Sequence, residues 1–514
     1  MAQDSDTVNS GSYALKNKWS DSDAVETSIT QNVTLSEGWY YFSFAQEGAE
    51  SNSGLTISVG ETSVVCSDTT GWGKWLTYNS NYFFVSESSD YTVSIAGSVP
   101  AGYWGRIDDI ILYRYEEAET VERTFEYDTT PVSIDAVESD LVADKVEGLP
   151  SDFITGFDLS SYLSIRNSGA TYKDFDGNVL TDEEFFRLLY ENGVNYVRLR
   201  VWVDPTDENG KSYGGGNCDI NTCVEIGKRA TKYGLKLLVD FHYSDFWADP
   251  GKQNVPKAWR GFNVDELEEA VYKYTVRVMK RLHDEDAAPG MVQVGNEVTN
   301  GLLWPTGKKP NYDNIARYIG AGIRGVREVD KEVPIMIHLD NGGFNEMYVD
   351  WFDNYMTRGE DFDIIGLSYY PFWHGSLDEL DFNMNDMAKR YGKKICLAEV
   401  SMGFTMDDYR SYEKKPTEEL KGMATKPELV EKLDYPMTKE GQRDFMIDVM
   451  TRVSKVPGGL GFYYWEPGWI PVPNVGWATE AALRYTGEKG PGGNEWANQA
   501  LFDYDGNVLP ALKL

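Results

Sequence analysis

The sequence predicts an α/β protein: a (β/α)8 barrel preceded by a smaller all-β sandwich. Three observations predict it. The chain has 514 residues, too many for one ordinary core and suited to two or three. Its charge is uneven: residues 1–140 hold 6 basic and 23 acidic residues, the remainder 42 and 59, so half of the net −34 sits on about a quarter of the length. The hydrophobic pattern also changes near residue 153, from short alternating runs between Gly/Ser/Asn turns to apolar runs separated by amphipathic helical stretches.

Taken in order, residues 1–116 carry the strand-like runs 38–44, 55–59 and 91–95 and close on WGRIDDIILY (104–113). Alternation of this kind, broken by turns, is what a sandwich requires. Residues 117–152, rich in Asp, Glu, Thr and Val, read as a connector without the repetition of a flexible tether. From 153 to 514, eight apolar runs follow: 156–159, 196–203, 235–243, 291–297, 335–340, 364–370, 395–400 and 461–465. Helical stretches such as 181–191 and 264–282 separate them, the repeat of a (β/α)8 barrel. A doubly wound sheet is the alternative, but no Gly-rich phosphate fingerprint follows the first run.

Composition excludes some functions. An excess of 82 acidic over 48 basic residues repels phosphate backbones and anionic lipid, so nucleic acid is not an expected partner. No run reaches the ~18 apolar residues of a membrane span, so membrane insertion is not expected either. With 14% aromatic residues, the protein suits a neutral polar ligand with apolar faces, and carbohydrate is the obvious class. The start, Met1-Ala2-Gln3-Asp4, lacks the basic and apolar regions of a leader. A cytosolic chain, or one secreted or at the cell surface whose signal has been removed, would read this way, and we expect the latter. Of the four cysteines, Cys218 and Cys223 are near enough in sequence to pair. No CxxC or His-rich tract suggests zinc.

In a barrel the site lies at the C-terminal ends of the strands. The polar residues where the eight runs stop are Asp158; Arg198 and Arg200; Asp240, His242 and Asp245; Asn296 and Glu297; His338 and Asp340; Tyr369 and His374; Glu399; and Trp465, Glu466 and Trp469. Glu297 and Glu399, ending the fourth and seventh runs, stand out. Glycoside hydrolysis needs two carboxyl groups in different environments, an acid of raised pKa and a nucleophile or base that stays ionised.

Asn-Glu on the fourth strand with Glu on the seventh resembles the large clan of retaining (β/α)8, or TIM-barrel, glycosidases. Within it the chain is similar to glycoside hydrolase family 53, the endo-β-1,4-galactanases. The matching stretches are GVNYVRLRVWV (193–203), VDFHYSDFWADP (239–250), GNE (295–297), GLLWPTG (301–307), IMIHLDNG (335–342), SYYPF (368–372) and YWEP (464–467).

The resemblance implies that Glu297 is the general acid/base and Glu399 the nucleophile of a retaining double displacement, a mechanism that needs the carboxyls about 5–5.5 Å apart. A guanidinium would hold Glu399 ionised. Arg198 and Arg200 both suit, and Arg200, nearer the strand's C-terminal end, is the expected one. Asn296 is expected to bond the sugar 2-hydroxyl and Tyr369 to donate to Glu399. Trp247, Trp304, Trp465 and Trp469 are candidate sugar platforms. His242 and His374 could bind hydroxyls, Asp158 and Asp340 orient other groups, and Asp245 joins the substrate-binding set. His338 reads as a satisfied core histidine.

No cofactor is implied for catalysis. Some bacterial members hold calcium in a loop after the seventh strand around an acidic, His-containing run. Residues 404–440 here are Lys/Glu-rich without His, so structural calcium is not indicated there.

The first module resembles the jelly-roll carbohydrate-binding modules appended to glycan-degrading enzymes, on Ser12-Tyr13-Ala14-Leu15 and the closing 104–113 pattern. Trp19, Trp39, Trp72, Trp75, Tyr78, Tyr82, Tyr103 and Trp104 are too many aromatics for so small a core, and exposed aromatics mark binding sites. Trp72 and Trp75, beside Gly71 and Gly73, are the first candidates. The expected partner is β-1,4-galactan, or the arabinogalactan side chains of pectin, met by a monomer. Mannan or xylan hydrolysis on the same scaffold is one alternative, and a non-enzymatic galactan-binding protein the other.

Overall fold

β-Branched and aromatic residues set off by turns build two antiparallel sheets in the N-terminal region. One holds, in order, Ala2–Asp4, Ala14–Lys16, Gly105–Tyr115, Gly38–Gly48 and Leu76–Asn79, with Phe83–Val85 also paired to Gly38–Gly48. The other holds Val25–Leu35, Ser89–Val99, Leu55–Val59 and Thr62–Val65. Their inner faces meet in one core of Tyr40, Phe42 and Phe44 from the first sheet and Leu55, Ile57, Val59, Ile95 and Val99 from the second, the sandwich that alternation predicts. This computed structural model describes all residues except 1, 5–8, 10–13, 17–19, 50, 67–68, 70, 81–82, 116–145, 147, 408–426, 473–474, 489–491, 495 and 514. Ser12, Tyr13, Trp19, Tyr82, the Trp39 side chain and most of the expected connector therefore lie outside the described residues. Two compact units result, residues 1–129 with 257–263, and residues 130–256 with 264–514.

The second unit is a closed barrel of eight parallel strands: Ile154–Asp158, Tyr196–Val201, Lys236–Phe241, Met291–Val294, Ile335–Leu339, Ile364–Tyr369, Lys394–Val400 and Gly459–Tyr464. Each pairs with its successor, and the eighth closes on the first through Ile154↔Gly461 to Phe157↔Tyr464. Every expected apolar run overlaps one strand, the first, seventh and eighth strands starting one or two residues before their runs. The helix Asp182–Glu191 starts at Thr181, whose hydroxyl and Glu184 form a capping box. It buries Phe185, Phe186 and Leu189, as the helix Val264–Asp284 buries Leu267, Val271 and Val278. Among the described residues no helix is long and apolar enough to cross a membrane. All four cysteines are buried and free, so Cys218 and Cys223 do not pair.

Strand alternation sorts the barrel interior into layers. Ile154, Leu238, Met291, Met336, Ile364, Cys396, Ala398 and Tyr463 form an apolar floor. Two residues further along three of these strands come Asp240, Gln293 and His338, which like Asp158, Arg198 and Ser368 are fully buried. The seventh strand departs from alternation. Leu397 pairs with Leu367, but Glu399, not Ala398, pairs with Ser368. This bulge admits one extra residue and turns Glu399 to the interior side on which Ala398 already lies.

Candidate active site

Four chain segments leave the barrel rim through a non-glycine residue in the left-handed region: Tyr243, Glu297, Asn341 and Glu466 have φ of 51°, 45°, 54° and 46°. Such backbone costs of order 1–3 kcal/mol each and persists where its surroundings over-determine it. At Glu297 the turn brings a carboxyl back over the barrel mouth, where it is buried and accepts a hydrogen bond from Ser368 Oγ at 2.6 Å. Ser368 is the residue level with Glu399, so the fourth and seventh strands do deliver their glutamates to one place. Glu399 Oε1 forms an ion pair with Arg198 Nη2 at 2.9 Å, and its Oε2 accepts from the Tyr370 hydroxyl at 2.6 Å.

The two carboxyls differ electrostatically. Burial, then the charges of Glu399 and Asp340, push Glu297 well above the ordinary carboxylate range, against the donation from Ser368. Burial also raises Glu399, but Arg198 and Tyr370 pull it back. Four buried carboxyls (Asp158, Asp240, Glu399 and Glu466) share two buried guanidiniums. Arg198 binds Asp158, Asp240 and Glu399, and Arg200 binds Asp158 and Glu466. Among the described residues Glu297, buried beside them, is not paired with an arginine. Excess negative charge in a low-dielectric site places the proton there.

The cation on Glu399 is Arg198, not the expected Arg200. Both side chains point inward, but Arg198 lies one layer deeper. From there it reaches across to the third and seventh strands, also donating to Asn296 Oδ1 at 2.8 Å. Arg200, nearer the rim, is drawn instead to Glu466 at 2.6 Å, Ser161 and the Gly215 carbonyl, with Trp247 stacked 4.2 Å from its guanidinium. Glu466 is itself raised to about 7, by burial first, in spite of Arg200.

Tyr369 is likewise displaced from its expected role. Ile364 and Ser368 face in, so Tyr369 faces out, packs on Phe445 and donates to the Gly375 carbonyl. Its neighbour Tyr370 turns in and supplies the bond to Glu399. The parity of the strand carried that signal, because Tyr370 shares the inward register of Ser368.

Other candidates lie inside the protein's own bonding. His242 Nδ1 accepts from Trp202 Nε1 and Ala248 N, both at 3.1 Å, and its Nε2 lies 3.0 Å from Asp240, so neither nitrogen remains for a hydroxyl. Asp245 is fully buried, accepting from Asp204 N and the Tyr485 hydroxyl, and it ties two loops together. His374 is buried, with Nδ1 3.2 Å from Tyr370 N and 3.1 Å from the Ser368 carbonyl, and it braces the turn after the sixth strand. Trp469 is buried and donates to Asn494, so it backs Trp465 rather than lining a cleft. Asp340 accepts from Thr299 and Asn341 and is raised to about 6, chiefly by burial.

Trp247, Trp304 and Trp465 remain half-buried. Lys308 covers one face of Trp304 at 4.0 Å. Trp465 meets Trp247 at 6.2 Å, and Tyr370 and Trp496 edge-on; Trp373 in turn packs edge-on against Trp496. Trp373 and Trp496 lie in loops outside the apolar runs, where strand-end reading does not look. Among the described residues no group of three or more His, Cys, Asp or Glu side chains is placed to hold a metal ion.

In the sandwich, Trp72 is 58% exposed. It packs on Trp104, and Arg106 lies 4.5 Å from its ring. Arg106 is fixed by buried Glu47, which also accepts from the Gly73 amide. Trp75 is half-buried and Tyr103 buried.

A closed parallel barrel carrying two inequivalent buried glutamates at the ends of strands four and seven defines a barrel glycoside hydrolase. The chain belongs to glycosyl hydrolase family 53, whose sequence profile matches residues 154–514. It is 39% identical over 394 residues to a Bacillus subtilis protein named endo-beta-1,4-galactanase, covering 73% of this chain and 88% of that one. It is 36% identical over 329 residues to a Thermothelomyces thermophilus arabinogalactan endo-beta-1,4-galactanase, covering 62% and 91%. The solved Ignisphaera aggregans GH53 catalytic domain superposes with a TM-score of 0.65 at 39% identity, over 72% of this chain and 98% of that one.

Proposed function

We infer that the protein is a retaining endo-β-1,4-galactanase in which Glu297 is the general acid/base and Glu399 the nucleophile. The observation that carries the assignment of roles is the unequal share of the arginines: Arg198 and Tyr370 keep Glu399 ionised, while Glu297 holds a proton. In the first half-reaction a Glu399 oxygen bonds to the anomeric carbon as the bond to the leaving 4-oxygen breaks, and that oxygen takes the Glu297 proton. In the second, the Glu297 carboxylate takes a proton from water, whose oxygen displaces Glu399 and restores the β configuration. Activity is lost as pH falls through the pKa of Glu399 and as it rises through that of Glu297. Since both are raised, the working range lies above the ordinary carboxylate range.

Asn296, whose amide donates to the Ala248 carbonyl, has a second amide hydrogen for the sugar 2-hydroxyl. Trp465 and Trp247, extended by Trp373 and Trp496, offer ring faces for galactosyl units. No cofactor takes part. The enzyme works outside the cell, where its polymeric substrate is, and acts as a monomer with an N-terminal carbohydrate-binding module at 1–116, a connector at 117–152 and the catalytic barrel at 153–514.

Incubation with linear β-1,4-galactan should show chain length falling early, with oligosaccharides before galactose. Cleavage of mannan or xylan instead, or release of galactose alone, would overturn the reading.

Trp72, held by Arg106 and Trp104, is the proposed sugar platform of the module. Against insoluble galactan, Trp72→Ala in an inactive full-length background should bind about three- to tenfold more weakly. Unchanged binding would remove the module's assigned role.

A further inference from the structure

The hydrogen bond that Glu297 accepts is the end of a chain through the barrel interior whose direction is set far from the substrate. Arg198 Nε can only donate, and it meets Gln293 Oε1 at 3.3 Å. This fixes the Gln293 amide, so its nitrogen faces Asp240 Oδ1 at 2.7 Å and His338 Nδ1 at 3.0 Å. The carboxylate can only accept, which confirms that orientation. With one amide hydrogen on Asp240, the other has three acceptors in reach: His338 Nδ1 and Asn296 Oδ1, both at 3.0 Å, and the Gly295 carbonyl at 3.2 Å. Asn296 Oδ1, also 3.0 Å from Nδ1, already takes Arg198 Nη2. A protonated Nδ1 would fill that oxygen's second lone pair and push the Gln293 hydrogen onto its longest bond, 3.2 Å to the Gly295 carbonyl.

The set of shorter bonds is the one with the His338 proton on Nε2, which lies 2.8 Å from Ser368 Oγ. The ring is fully buried, and burial followed by the nearby Arg198 charge keeps it neutral. With its oxygen occupied by that N–H, the single hydroxyl hydrogen of Ser368 goes to Glu297 Oε1 at 2.6 Å.

We propose that His338 and Ser368 are positioning residues for Glu297: the histidine commits the serine hydroxyl to Oε1, which leaves Oε2 as the oxygen that gives and takes the catalytic proton. The bond also favours the carboxylate over the acid, because a charged acceptor gains more from it. It thus makes Glu297 a better-poised proton donor in the first step and limits how far burial and its neighbours raise it. The charged and titratable groups acting on Glu297 besides this bond are Glu399, Asp340 and Asp249. Those acting on His338 are Arg198, Asp240, His242 and His374. The inference rests on the galactanase reading for its meaning in catalysis, but its test needs no substrate.

With 15N-labelled histidine, the chain's four imidazoles are resolvable by NMR, and His338→Gln identifies the signal. The expected form from about pH 5 to 8 is neutral with Nε2 protonated; an Nδ1–H tautomer or an imidazolium overturns the proposal. With 13C-labelled glutamate, and Glu297→Gln to assign the signal, the Glu297 carboxyl is then titrated directly. Ser368→Ala should raise its apparent pKa by about one unit, Ser368→Thr should leave it in place, and His338→Gln should give an intermediate rise. A Glu297 titration indifferent to Ser368→Ala overturns the proposal even if wild-type protein cleaves galactan. The converse, the expected shifts in a protein inactive on galactan, would overturn only the substrate reading.

Discussion

Replacing Glu399 by alanine lowers kcat on linear β-1,4-galactan by at least about 10⁴-fold, as loss of a covalent nucleophile does. The fold should survive and gain: the substitution removes one of four buried carboxyls that share two guanidiniums, so the melting temperature holds or rises. Separating activity from stability in this way identifies a site kept under electrostatic strain for function. Azide should restore turnover by entering the vacated space beneath the anomeric carbon, giving an α-galactosyl azide. Galactan hydrolysis unchanged in Glu399→Ala, or an azide product of β configuration, would contradict the nucleophile assignment.

Arg198→Met has the opposite effect on stability. Arg198 is fully buried and binds Asp158 at 2.6 Å, Asp240 at 2.8 Å and Glu399 at 2.9 Å. Removing one partner of a buried ion pair costs about 3–5 kcal/mol because the remaining charge is left unpaired, and here Asp240 and Glu399 lose their arginine while Asp158 keeps only Arg200. Denaturant unfolding should show a loss of at least that size. Any folded fraction should need a higher pH for activity, since Glu399 without Arg198 ionises later and the acid limb moves up. Arg200→Met should leave the acid limb nearer its wild-type position, because Arg200 touches Glu466 and Asp158 rather than Glu399. Equal movement of that limb in both variants would mean that the two arginines act as one unit.

The comparison of these arginines shows what strand-end reading can reach. Both sit on the inward register of one strand, two residues apart. Position along the strand favoured Arg200, but the decision lay in what faces each guanidinium across the barrel. Tyr369 and Tyr370 teach a different lesson: alternation from Ser368 already separates them, and only the choice of the last apolar residue as the rim position misled. His242, Asp245 and Trp469 have the right residue types at the right strand ends. Their polar atoms are consumed by Trp202 and Ala248, by Asp204 and Tyr485, and by Asn494, partners that neighbouring loops bring and local pattern does not contain.

The sequence by itself determined the barrel, the antiparallel sandwich before it and the two glutamates, because each is written in short-range terms: a period of two, a helix cap, an apolar run stopping at a carboxyl. What only the tertiary structure decided is how those glutamates become unequal. The bulge beside Ala398 turns Glu399 inward, a left-handed residue returns Glu297 over the mouth, and Arg198 reaches the first of these but not the second. Ionisation in a buried site depends on which charges converge through low-dielectric protein, and convergence across eight strands is a property of the closed barrel.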